Sequence, residues 1–483
     1  MYYIGVDLGS TNLKAALYDE NLNCVAQKGA PVAYIREGEF IEFDAEKYFD
    51  DLVAVLHDLM AENPGKVLEI ALTGQAESLV CLDAEGKAVY NAISWMDERS
   101  GEECKLLEKQ FDAKLCHRVT GQQAVLPTWP ATKILWLKRN RPEIFGKVAT
   151  YMLLKDYIVY RLTGKKTADM SIATFSFYFD IYGKCYWKEM LQAIGITEKQ
   201  LPQLIEPCTV VGALTDAVAT ATGLTTETVV NTGTLDHFAG MIGTGNTAPS
   251  GMNLSTGTTM VLTAMTKEKP DPDCDLALHY GFKPDTYVML PVMESGGVCL
   301  DWFRRTCMNN LDYDTLNAEI LKAPETDLLF LPYLVGTNAP EFDREASGVF
   351  FGLRQEHTNI QMAKAVMEGV CFVLRKNCED ILKKGTKISG IVATGGGAKS
   401  PVWCQLQADI TGLPLEVPAV TEAGCLGAAM IAACSQGQFK TLEEAAKGVK
   451  MVRAYTPNPS QRIEEKYRKF CKLYEAALEI ARM

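Results

Sequence analysis

Tyr3-Ile4-Gly5-Val6-Asp7-Leu8-Gly9-Ser10-Thr11, followed by the apolar run Leu13-Lys14-Ala15-Ala16-Leu17-Tyr18, opens the chain. The first stretch predicts a strand, Gly-Ser-Thr supplies a turn and the second run a returning strand, so the opening element reads as a β-hairpin. Near mid-chain the pattern recurs: Met252-Asn253-Leu254-Ser255-Thr256-Gly257-Thr258-Thr259 leads into Met260-Val261-Leu262-Thr263-Ala264-Met265. Gly9 and Gly257 stand close to half the chain length apart. Two halves that each open with strand, Gly-Ser/Thr turn and strand suggest a duplicated domain.

Around these marks helical and strand patterns alternate, as in α/β layers. Tyr48, Leu52, Leu56 and Leu59 carry helical spacing over 45–61, and the strand-like run Leu68–Gly74 follows Asn63-Pro64-Gly65. Residues 387–397 read as a buried strand running into a Gly turn, 401–412 as a helix, and Ile463, Tyr467, Phe470 and Tyr474 as the core stripe of a last helix.

The 483 residues are 47% hydrophobic and 22% charged, with 48 basic against 60 acidic side chains. A chain of this length makes two or three domains, each able to bury its own core. The net charge of -12 without a basic block argues against nucleic acid as the main partner. No basic n-region precedes Asp7 and no apolar run approaches the length of a membrane span, so the expectation is a cytoplasmic protein with no membrane partner. Fifteen cysteines without a C-x-x-C pair read as buried apolar side chains in a reducing compartment.

Four constellations could carry chemistry. Asp7 at a strand end, followed by Gly9-Ser10-Thr11, could hold a metal ion while the turn cradles phosphate oxygens; an ordinary hairpin turn gives the same pattern. Gly257-Thr258-Thr259 offers a second copy of the turn. Gly395-Gly396-Gly397-Ala398 follows a strand and opens a helix, where flexible backbone could lie against a nucleotide or simply join two elements. It is neither a P-loop nor a dinucleotide fingerprint. Asp236, in Thr232-Gly233-Thr234-Leu235-Asp236-His237, is either a general base for a hydroxyl or a helix N-cap. Gln75 and Glu77 close one strand, and Trp95, Asp97 and Arg99 combine an aromatic with charges; such groups hold sugars, and a solvated loop looks alike.

At this point the chain resembles the FGGY family of carbohydrate kinases over essentially its whole length. Pro130-Ala131-Thr132-Lys133-Ile134-Leu135-Trp136-Leu137 looks like the family's first signature, and Gly348-Val349-Phe350-Phe351-Gly352-Leu353, with Ala365-Val366-Met367-Glu368 after it, looks like the second. The resemblance implies an α/β protein of two actin-like ATPase (ribonuclease H-like) domains with the active-site cleft between them. The halves would be 1–246, holding the sugar and the catalytic base, and 247–483, holding the nucleotide. By similarity Asp236 is the base, and Gly9-Ser10-Thr11 and Gly257-Thr258-Thr259 are phosphate loops. Gly395, Gly396, Gly397 and Ala398 contact ATP, and Asp7 with Asp236 holds Mg²⁺. Gln75, Glu77, Trp95, Asp97, Arg99 and Asp236 line the sugar pocket.

The implied reaction is transfer of the ATP γ-phosphoryl group to a hydroxyl of a small sugar, with a homodimer left open as the assembly. Family members acting on xylulose usually show Met-His after Gly-Gln, where this chain has Ala76-Glu77; those acting on glycerol show Arg-Glu. Trp95-x-Asp97-x-Arg99 looks like the pentulose pattern. A ketopentose such as xylulose or ribulose is therefore expected first, and a polyol or aldonic acid next. An actin-like or chaperone-like ATPase would share the hairpins, but Asp236 and the two signatures speak against it.

Overall fold

The computed structural model describes residues 1–267, 276–383 and 386–483. The chain forms two compact units that are not contiguous in sequence: Met1–Thr247 with Lys267–Val288 and Val420–Val449, and Ala248–Thr266 with Met289–Ala419 and Lys450–Met483. The division expected at 246/247 differs from this in two segments, 267–288 and 420–449, which pack with the first unit.

The first unit is built on a six-stranded sheet in the order Val210–Ala213, Val229–Asn231, Val67–Gly74, Tyr2–Leu8, Asn12–Tyr18, Cys24–Pro31. Tyr2–Leu8 runs antiparallel to Asn12–Tyr18, with Val6 opposite Ala15, and parallel to Val67–Gly74, with Val6 opposite Leu72. Side chains alternate across a strand, and here the alternation sorts two jobs. Ile4, Val6 and Leu8 join the core with the helix Ala45–Glu62, which offers Leu52, Val55, Leu56 and Leu59. That helix starts where the Asp44 carboxylate accepts the N–H groups of Glu46 and Lys47.

Tyr3, Gly5 and Asp7 face the other way, toward the helix Ala423–Ser435. A Cβ on Gly5 would lie 1.9 Å from the Cys425 carbonyl oxygen. The same helix meets Asp236–Gly243 as closely: a Cβ on Gly243 would lie 2.0 Å from Ala423 O, and one on Gly427 1.9 Å from Ala239 O. Only glycine permits backbones this near each other, so Gly5, Gly243 and Gly427 bring 420–449 into the first unit. A smaller sheet, Ile35–Glu37, Phe40–Phe43, Ala92–Ile93, Leu79–Leu82, Thr150–Leu153, completes that unit.

The second unit repeats the opening move. Gly251–Thr256 runs antiparallel to Met260–Thr266 and parallel to Gly390–Gly395, with Leu254 opposite both Leu262 and Ala393. The sheet continues through Leu415–Pro418 to Met451–Tyr455. The strand expected over 387–397 begins at Gly390 and ends at Gly395, and the helix Pro401–Thr411 follows with Ser400 as its cap. In the last helix, Gln461–Ala481, Tyr467 and Phe470 are buried while Ile463 and Tyr474 are half-buried. Among the described residues no helix is long and apolar enough to cross a membrane.

Candidate active site

Asp236 is the first residue of the helix Asp236–Gly243, where the positive end of the helix dipole favours a carboxylate. Its Oδ1 accepts the His237 N–H at 2.6 Å. Asp7, at the end of the central strand, feels Asp236: burial first and then the Asp236 charge push the Asp7 carboxyl up to about 7. A Cβ on Gly424 would sit 3.2 Å from Asp7 Oδ2, so glycine there leaves the carboxylate its room. Lys14, one strand over, pairs with Glu422 at 2.8 Å.

Glu77 is the third carboxylate of the group. It stands at φ +65 just after the strand Val67–Gly74, a conformation uncommon for a side chain larger than glycine. Burial raises its pKa; Lys133 and the Thr128 hydroxyl oppose the rise and Asp236 adds to it. Burial in turn lowers the Lys133 ammonium, which donates to Ser94 O at 2.7 Å and Glu77 O at 3.1 Å. Lys133 and Thr128 were not among the expected site residues. The signal was a lysine immediately before the apolar run Ile134-Leu135-Trp136-Leu137, on a helix whose residues 130–137 are all buried.

Asp97 and Arg99, expected to line the sugar pocket, are placed differently. The Asp97 side chain has no exposed surface, and both its oxygens are taken: Oδ1 by Arg99 Nε at 2.7 Å, Oδ2 by Arg99 Nη2 at 2.7 Å and the Ile41 N–H at 2.6 Å. Arg99 also pairs with Glu42 at 2.7 Å and lies over the rings of Phe40 and Trp136. A planar, delocalised cation suits such a stack, and the pair braces the small sheet. Gln75 donates to Gly9 O at 3.3 Å and accepts from Ser78 at 2.8 Å, so it ties the first turn to the strand end. Trp95 is 39% exposed.

In the Gly9-Ser10-Thr11 turn the carbonyl of Gly9 accepts from the Tyr48 hydroxyl at 3.0 Å, and that of Thr11 from the Val32 N–H at 3.0 Å. In the second unit Gly257 has open space around its Cβ position, while the tight neighbours are Gly296 and Gly297, whose Cβ atoms would run into the turn's own backbone. Gly395, at φ +79, and Gly397 pack against Thr256, leaving Gly396 open. The two glycine loops of that unit are therefore neighbours.

Among the described residues no group of three metal-ligating side chains occurs. Asp7 with Asp236 instead offers two carboxylates at mutual electrostatic cost. This suits Mg²⁺, which is held through one or two carboxylates, waters and substrate phosphates.

Comparison with known proteins fits this geometry. Residues 2–243 match the N-terminal domain of the FGGY family of carbohydrate kinases, and residues 252–435 its C-terminal domain. The chain belongs to that family: it is an ATP-dependent carbohydrate kinase of the actin-like ATPase fold. It is 32% identical to a xylulose kinase of Escherichia coli (strain K12), over 99% of each chain. Among solved structures, a xylulose kinase from Rhodospirillum rubrum superimposes with a TM-score of 0.94 at 26% identity, covering 100% of both chains. A gluconate kinase from Lactobacillus acidophilus gives 0.91 at 28% identity, covering 99% of this chain and 97% of its own.

Proposed function

We propose that this chain phosphorylates a hydroxyl of a ketopentose, xylulose before ribulose, with Asp236 as general base. The observation that carries the reading is the placing of Asp236 at a helix start, where its charge bears on two buried carboxyl groups, Asp7 at one strand end and Glu77 just past another. The substrate of the E. coli and R. rubrum relatives supports the choice of sugar.

In this mechanism an Asp236 oxygen takes the proton of the substrate hydroxyl, the hydroxyl's own oxygen bonds to the γ-phosphorus, and the bond from that phosphorus to the bridging oxygen of ADP breaks. Asp7, with Asp236, would hold Mg²⁺, which supplies charge neutralisation at the phosphoryl oxygens. The N–H groups of Gly9, Ser10 and Thr11 are assigned to phosphate, as are those of Gly257, Thr258 and Thr259. Gly395-Gly396-Gly397-Ala398 is assigned to the rest of the nucleotide. Lys133 orients Glu77 through its carbonyl, and Glu77 and Trp95 read the sugar. Gln75 acts through the turn it ties down. The cytoplasm is the compartment this reading assigns, and light scattering would decide the homodimer.

The gluconate kinase neighbour favours a second reading, an aldonic acid. Electrostatics decides between the two: an aldonate would bring a further carboxylate beside Asp236 and beside Asp7 and Glu77, whose ionised forms burial already disfavours, with Lys133 committed to two carbonyls. Like charges in a desolvated site repel by several kcal/mol. Coupled ADP release with D-xylulose, L-xylulose, D-ribulose, glycerol and gluconate tests the proposal. A ketopentose should give the highest kcat/KM, and preference for gluconate, or turnover indifferent to sugar, would refute it.

A further inference from the structure

The segment 232–235 that leads into Asp236 is anchored by a buried polar chain. Lys155, fully buried, donates from Nζ to Thr232 O at 2.6 Å and to Thr232 Oγ1 at 3.1 Å, and pairs with Asp169 Oδ2 at 2.6 Å. Asp169, also fully buried, accepts the Ser171 N–H at 2.7 Å and the Ser171 hydroxyl through Oδ1. A hydroxyl has one proton. Having given it to Asp169, Ser171 Oγ can only accept, and it does so from the Leu235 N–H at 3.2 Å and the Thr234 hydroxyl at 2.9 Å.

The opposite side of the segment is held as firmly. Thr73 donates to Thr234 O at 2.8 Å, and the Thr234 N–H reaches Leu72 O at 3.2 Å. Gly233, at φ +63, approaches so closely that a Cβ would lie 1.7 Å from Leu72 O. The chain of bonds thus ends on the residue immediately before Asp236.

We propose that Lys155, Asp169 and Ser171 are positioning residues for phosphoryl transfer: their hydrogen-bonded chain fixes the Thr234-Leu235 backbone and so sets where the Asp236 carboxylate stands. A buried ion pair is a poor device for stability alone, because desolvation offsets most of its attraction. It does fix geometry, and misplacement of a catalytic group by about 1 Å can cost on the order of 10²-fold in rate. The inference rests on the reading of Asp236 as the base.

The test is steady-state kinetics of Ser171→Ala, Thr234→Val and the double variant, with Asp236→Asn in parallel, using ATP and whichever of D-xylulose and D-ribulose the parent chain phosphorylates. Each single variant should lower kcat about tenfold or more. The KM values for ATP and sugar should stay within about twofold, and the double should be no slower than the slower single, because both cut one chain. If Ser171→Ala does not fold, Thr234→Val, which keeps both Ser171 hydrogen bonds to Asp169, carries the test. A lowered melting temperature with parental kcat in the folded enzyme, or a raised sugar KM at constant kcat, overturns the positioning role. Full-speed Ser171→Ala and Thr234→Val beside an inactive Asp236→Asn would reject the positioning chain and keep the base. A normally active Asp236→Asn would reject the base, and the positioning role with it.

Discussion

Burial and the Asp236 charge both disfavour the ionised form of Asp7 and push its carboxyl up to about 7. A Mg²⁺ ion held there, as proposed, would have to displace the carboxyl proton, so its affinity would depend on pH. The sign is fixed: below about 7 each further unit should weaken apparent Mg²⁺ activation by about tenfold, and above it the dependence should flatten. Titrating Mg²⁺ activation at saturating ATP and sugar from pH 5.5 to 8.5 reads this directly; a pH-independent activation constant would remove Asp7 from the metal site. Asp97 and Glu77, alike in sequence, should separate in the laboratory. Asp97→Ala leaves the buried Arg99 with Glu42 as its one remaining carboxylate and should cost on the order of 2–3 kcal/mol of stability, whereas Glu77→Ala should cut kcat/KM for the sugar about tenfold with the ATP KM nearly unchanged. Denaturant melts and kinetics on both variants check the contrast. The sequence named these residues because carboxylates near aromatics are what sugars need. It could not tell which carboxylate a neighbouring Arg99 had already claimed, since that depends on Ile41 and Glu42 from another strand.

The hairpins were readable as elements because strand, turn and strand are written locally in Tyr2–Tyr18 and Gly251–Thr266. Their glycines are not equivalent. A Cβ on Gly9 would meet Asn12 O at 2.4 Å, whereas Gly257 has nothing nearer than 3.9 Å. Gly257→Ala should therefore leave the melting temperature unchanged and weaken ATP binding about tenfold if its open space is where phosphate sits. Calorimetric ATP titration of the variant is the check, and parental affinity would return this turn to a purely structural role. The helix Ala423–Ser435 could not be placed from its own pattern. Its small and apolar residues show no polar face, and what fixes its packing is a set of glycines in remote segments, Gly5 and Gly243, meeting its carbonyl oxygens.

At the scale of the molecule, two matching hairpins were legible, and the return of 420–449 to the first unit was not. Matching hairpins at 2–18 and 251–266 announce two halves, but 420–449 returns to the first unit after the second has been built. A fragment ending at residue 247 would expose the Gly5 face of the central sheet and the Gly243 face of the Asp236 helix. It should fail to give a cooperative thermal transition, while co-expression with the remainder should restore one; an independently cooperative 1–247 fragment would contradict the packing assigned to Ala423–Ser435. The proposed transfer requires that Asp236 take the substrate's proton. Single-turnover transfer of the γ-phosphoryl group from ATP to D-xylulose, with both ligands saturating and bound, compares the parent with Asp236→Asn at the chemical step. The predicted result is a fall of about 10²–10⁴ in rate with both ligands still bound, and an unchanged rate would contradict Asp236 as the general base.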